Sequence, residues 1–143
     1  MADKAVTFEK ASISTATAHE IVAAAEAKAA EIGVPMVIAI TDESGVLKTL
    51  SRMDGAALLS VQIAQDKAYT ASGFGLATHE WHEFAEGDEQ LRPGARTGID
   101  RLVTFGGGFP IKVGDAVVGA IGVSGGHWSQ DMDVAKAGLA VLD

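Results

Sequence analysis

At 143 residues the chain fits one domain, 1–143, and is long enough to bury roughly two-thirds of its unfolded surface without a disulfide or structural metal. It has no cysteine, which excludes a disulfide framework, a zinc–thiolate site and a thiol nucleophile together; its net charge of −8 argues against nucleic acid as a partner. Apolar residues make up 48% but aromatics only 6%, so Ala- and Gly-rich elements should pack closely and leave apolar surface for a second subunit.

Met1-Ala2-Asp3-Lys4 carries no basic region leading into an apolar core, so no export signal is read there and the cytoplasm is the expected compartment. No apolar run approaches the ~18 residues of a membrane span, and the best stretch, Ala116 to Val123, is short and interrupted by glycine.

Thr17-x-x-Glu20 reads as a capping box, and Ile21, Ala25, Ala29 and Ile32 recur at helical spacing. Gly33 and Pro35 then stop a helix over about 15–32. Met36 to Thr41 is a continuous apolar run expected as a buried strand. Asp42-Glu43-Ser44-Gly45 turns the chain, and Val46 to Met53 returns as the second strand of a hairpin. From Ala57 to Ser72 the spacing is helical, with Leu58, Val61, Ala64, Ala68 and Ala71 on one face and Gly73 as its end. Phe74 to Gly98 is irregular apart from a short helix over Thr78 to Ala85.

Leu102 to Phe105 suggests a short strand, and Gly106-Gly107-Gly108 a flexible elbow. Ile111 to Val113 and Ala116 to Ser124 flank Gly114-Asp115 as a second hairpin, and Ser129 to Leu142 forms a last helix with Asp131 and Asp133 in its first turn. Two hairpins with helices around them predict an α/β (α+β) domain with a central, mainly antiparallel sheet.

Several residues are candidates for chemistry. The Gly106–Gly108 run near Lys112 is not a phosphate loop, because no Ser or Thr follows that lysine into a helix. Ser124-Gly125-Gly126 leads from a strand end into a helix, where free N–H groups attract anions; a tight turn needing glycine is the alternative. His127 follows as a pocket wall or a helix cap. Arg52, beside Asp54, is placed to grip a ligand carboxylate or to pin a helix through carbonyls or Asp66. Lys67 borders an apolar helix face, as a base or Schiff-base former or as a lysine whose ammonium extends to solvent. His79, His82 and Glu83 neighbour one another on a helix. Their types suit zinc or iron, haem iron included, although solvated polar residues on a short helix read the same way. His19 stands alone and reads as structural.

Val37-Ile38-Ala39-Ile40-Thr41-Asp42, Arg52-Met53-Asp54-Gly55-Ala56, Lys67-Ala68-Tyr69-Thr70-Ala71 and Gly107-Gly108-Phe109-Pro110-Ile111, in that order, form a distinctive set. With Val118 to Gly126, Gln130-Asp131 and Val134-Ala135 they resemble the GlcG/HbpS-like family from about Phe8 to Leu142. The resemblance implies a profilin-like fold, assembly into dimers or larger rings, and relatives that bind or degrade haem or serve organic-acid or cobalamin metabolism. The stretch from Thr78 to Glu89 lies outside these motifs.

Three functions follow as expectations. The first is an oligomeric binder of haem or another anionic planar or organic ligand, using Arg52, Asp54, Lys67, Ser124, Gly125, Gly126 and His127. The second is an enzyme on a small organic acid or reactive intermediate, with Lys67, His79 or Asp54 as acid–base groups. The third is an assembly scaffold.

Overall fold

The computed structural model describes residues 4–143, so the Met1-Ala2-Asp3 part of the N-terminal reading lies outside the described residues. The elements run α1 (Thr15–Ile32), β1 (Val37–Asp42), β2 (Leu47–Arg52), α2 (Ser60–Phe74), α3 (Thr78–Glu86), α4 (Leu91–Gly98), β3 (Gly108–Val113), β4 (Ala116–Ser124) and α5 (Trp128–Leu139), with a 3₁₀ turn over Ala140–Leu142. Both hairpins form. They join through antiparallel pairing of β1 with β4 into one four-stranded sheet, ordered β2-β1-β4-β3. This is the α+β arrangement expected from two hairpins among helices.

Alternation along the strands divides the core between the two faces of the sheet. Ile38, Ile40, Ile121 and Val123 pack with Ile21, Ala25 and Ala29 of α1 and Val134 and Ala135 of α5. Val37 and Ala39 meet Ala64 of α2 on the other face, and Ala120 meets Ala68 and Ala71. Small residues let α2 lie very close to the sheet. A Cβ on Gly122 would collide with the Ala64 carbonyl oxygen and come within 2.6 Å of the Ala68 nitrogen.

Several local expectations are corrected. Ser14, not Thr17, caps α1: Ser14 Oγ accepts from the Thr17 N–H at 3.1 Å. Leu58 lies outside α2 and is exposed, whereas Lys67 joins the buried face beside Ala64, Ala68 and Ala71. The helix continues through Gly73 to Gly75, whose φ of 68° gives the left-handed stop. Residues 91–98 form α4 despite Pro93 and Gly94. Leu102 to Phe105 is not a strand. Among the described residues no helix is long and apolar enough to cross a membrane.

Candidate functional site

The glycine run before β3 is buried and tightly enclosed, in place of the flexible elbow expected from its composition. A Cβ on Gly106 would meet Met132 Sδ at 2.5 Å and Trp128 at 3.3 Å. One on Gly107, whose φ is 127°, would meet Lys67 Nζ and Val123 O, each at 2.6 Å. One on Gly108 would meet the Lys67 carbonyl oxygen at 2.6 Å. Side chains are absent here because α2 and α5 close on this backbone from two sides.

Between them lies a buried ion pair. Lys67 of α2 is fully buried, and its Nζ donates to Asp131 Oδ2 and to Val123 O, both at 2.8 Å. Asp131 belongs to α5 on the opposite face of the sheet, so the pair meets around the end where β4 finishes and β3 begins. Asp131 Oδ1 in turn accepts from the Gly126 N–H at 2.9 Å. Burial lowers the Lys67 pKa, against the opposing pull of Asp131. Burial likewise raises the Asp131 carboxyl, against Lys67 and the Gly126 N–H. Lys67 therefore does not extend to solvent.

The glycine turn that leads into α5 is occupied by the protein itself. Gly126 N–H serves Asp131, and the His127 N–H donates to Gln130 Oε1 at 3.0 Å. The Ser129 N–H donates to His127 Nδ1 at 3.3 Å, so His127 is a helix cap. Ser124 Oγ donates to Ser60 Oγ at 3.2 Å. A Cβ on Gly125 would press on Pro35 O at 2.7 Å, which accounts for glycine there by packing.

Above this buried pair the surface opens into a cleft of about 340 Å³ lined by His79, His82 and Glu83 of α3, by Thr104, Phe105 and Gly106, and by Trp128 and Met132 of α5. The Phe105 ring forms its floor over Lys67, with Nζ 5.0 Å from the ring centroid. His79 stacks obliquely on Phe109, ring centroids 5.5 Å apart, and its Nδ1 is buried with no hydrogen-bond partner. His82 is exposed and faces Glu86, Nε2 to Oε2 3.4 Å.

The structure thus brings His79, His82 and Glu83 to one cleft, but they do not converge: among the described residues no three His, Asp or Glu side chains form a metal-binding group. Arg52 and Asp54 are exposed and do not line the cleft. Arg52 does not hold Asp66 either, since that carboxylate is taken by Arg101 Nε at 2.8 Å. Lys67, His79 and Asp54 are not assembled as one acid–base site, because Lys67 is sealed beneath the floor and Asp54 lies outside the walls. No local sequence pattern marks Phe105, Trp128 and Met132 as a site. Only the sequence adjacency of Trp128 to His127 hinted at one of them.

Comparison with known proteins sets this geometry in context. The family model for "Haem degrading protein HbpS-like" matches residues 13–140. The chain belongs to the HbpS-like family. Among relatives, a 15.0 kDa protein from the dhaT-dhaS intergenic region of Citrobacter freundii is 40% identical over 129 residues, covering 90% of this chain and 91% of that one. Protein GlcG of Escherichia coli is 37% identical over 118 residues, 80% of this chain and 83% of its own. The corrinoid adenosyltransferase PduO of Citrobacter freundii is 36% identical over 138 residues, which are 92% of this chain but only 39% of PduO.

This HbpS-like chain superposes on the crystal structure of protein ORFY from Klebsiella pneumoniae with a TM-score of 0.91 at 33% identity, covering 97% of this chain and 96% of that one. A PduOC structure solved as a complex with haem gives a TM-score of 0.83 at 33% identity, covering 90% and 94%.

Proposed function

We propose that this protein binds a planar, anionic tetrapyrrole of the haem class in the cleft between α3, the Thr104–Gly106 segment and the start of α5, and that it does so as an oligomer. The observation that carries this reading is the composition of the walls. Phe105 and Trp128 bring aromatic rings to the walls, Met132 adds a polarisable apolar side chain, and His79 brings an imidazole. A volume of about 340 Å³ is within the range of small-molecule sites. The half-exposed Phe105 and Trp128 leave the cleft open on one side, where a bulky ring can protrude toward a second subunit.

The residues present fit such a group. Imidazole and thioether are the side-chain types that ligate haem iron, and His79 and Met132 supply one of each at the walls. We assign the ligand role to His79 and the stacking role to Phe105 and Trp128. Lys67 and Asp131 support the floor from below. When bound, haem brings one-electron and oxygen chemistry to the site. The solved haem complex of PduOC, a relative with the same fold, supports this reading.

The decisive experiment titrates hemin into the purified protein while the Soret band is followed, then passes the mixture over a sizing column. A saturable shift that co-elutes with an oligomer is expected. His79→Ala should weaken half-saturation by about tenfold or more, a loss of roughly 1.4 kcal/mol, while Arg52→Ala leaves it unchanged. A titration without saturation, or one indifferent to His79, overturns the proposal.

A further inference from the structure

Residues 99–108 run from the end of α4 to the first residue of β3, and their middle forms one wall and the floor of the cleft. Polar side chains of α2 and α3 grip this segment at several points. Thr70 Oγ1 donates to the Arg101 carbonyl at 3.1 Å and accepts from the Val103 N–H at 3.0 Å, so a single buried hydroxyl satisfies backbone groups on both sides of Leu102. Thr78 Oγ1 accepts from the Gly108 N–H at 2.9 Å. Outside, the Arg101 guanidinium lies 4.1 Å from the Tyr69 ring centroid while its Nε donates to Asp66 Oδ1 at 2.8 Å.

Among the described residues Arg101 is the one non-glycine with a left-handed backbone, φ 61°. Such a conformation is uncommon for a residue with a Cβ and persists where surrounding contacts over-determine it. Here those contacts are visible: Asp66 and Tyr69 hold the side chain, and Thr70 holds the carbonyl. All three lie on α2 within five residues, so the helix presents one clamp to one strained position.

We propose that Arg101 and Thr70 form a latch that sets the position of Phe105 and Gly106, making both positioning residues for the cleft although neither lines it. The proposal rests on the tetrapyrrole reading for its ligand but not for its mechanics. Release of the latch lets the segment leave α2, Phe105 loses its place over Lys67, and Gly106 loses its seat against Met132 and Trp128. Ligand contact with the floor then has to restore that order at the expense of affinity.

The test compares Thr70→Val, Thr70→Ser and Arg101→Ala with the parent chain in two measurements. Hydrogen exchange of the ligand-free protein should show faster exchange in peptides covering 101–108 for Thr70→Val and Arg101→Ala, with α1 and β1 unchanged. Thr70→Ser, which keeps the hydroxyl, should restore slow exchange. Hemin half-saturation should rise about tenfold in the first two variants and return with Thr70→Ser. Unchanged exchange in 101–108 overturns the latch whether or not hemin binds. Faster exchange with unaltered hemin affinity overturns its role in positioning. If the parent chain binds no hemin, the tetrapyrrole reading fails, and the exchange measurement alone decides whether the latch exists. Arg101 is exposed, so its variant tests the proposal even if loss of the buried Thr70 hydroxyl prevents folding.

Discussion

Lys67 has given up water for a carboxylate, a carbonyl and the face of a phenylalanine ring. A buried ion pair of this kind is costly to break from one side, because the remaining charge has no solvent to turn to. Lys67→Met should therefore destabilise the fold by about 3–5 kcal/mol in urea unfolding. The double change Lys67→Met with Asp131→Leu should cost less than that single one. The pH dependence follows from the two shifts. Lys67 titrates lower in the folded chain, so between that value and about 10.4 the unfolded chain holds more protons and stability rises with pH. Asp131 titrates higher in the folded chain, so stability falls as pH climbs from about 3.9 through the folded value. Relative to the double variant, the parent should gain stability as pH rises toward about 10.4, where the lowered Lys67 value sets the slope. A loss there contradicts the assigned burial cost. Asp131 was visible in the sequence as an acid in the first turn of a helix, and Lys67 as a lysine beside an apolar face. Nothing in either local pattern joins residues 64 positions apart.

At the scale of elements, the close approach of α2 to β4 is governed by what is missing from Gly122. Gly122→Ala should cost at least the ~1–3 kcal/mol of ordinary overpacking, because the opposing atoms are helix backbone and cannot rotate away. The thermal midpoint should fall by several degrees. Gly94→Ala in α4, where a Cβ would meet nothing within 4 Å, should be neutral or mildly stabilising. Equal effects of the two would remove the packing explanation. The hairpins are readable because their signals are local: short, largely apolar runs closed by Asp42–Gly45 and by Gly114-Asp115. α1 was readable from its period and its Gly33 stop. α4 was not, since Pro93 and Gly94 argue against a helix that their neighbours nonetheless form. Leu102 to Phe105 looked like a strand because its apolar side chains serve a cleft wall and a buried loop in place of a sheet. The cleft itself was only half legible. Its histidines stood in a conspicuous cluster, but Phe105, Trp128 and Met132 come from separate segments that only the tertiary fold assembles.

Across the whole molecule, the sheet separates two helical layers, α1 and α5 on one side and α2 on the other, and the Lys67–Asp131 pair ties them around the sheet's end. A contact spanning so much of the chain waits for both hairpins and the last helix to be in place, because its loop-closure entropy is repaid only then. The tie should consequently be absent from the folding transition state, and its energy should appear almost wholly in the barrier to unfolding. Asp131→Asn is expected to steepen the loss of native molecules in unfolding kinetics while leaving the refolding arm of the chevron nearly unmoved. A slowed refolding arm would place the pair in the nucleus instead. One buried lysine, on this view, governs how long a folded molecule lasts more than how quickly it is made.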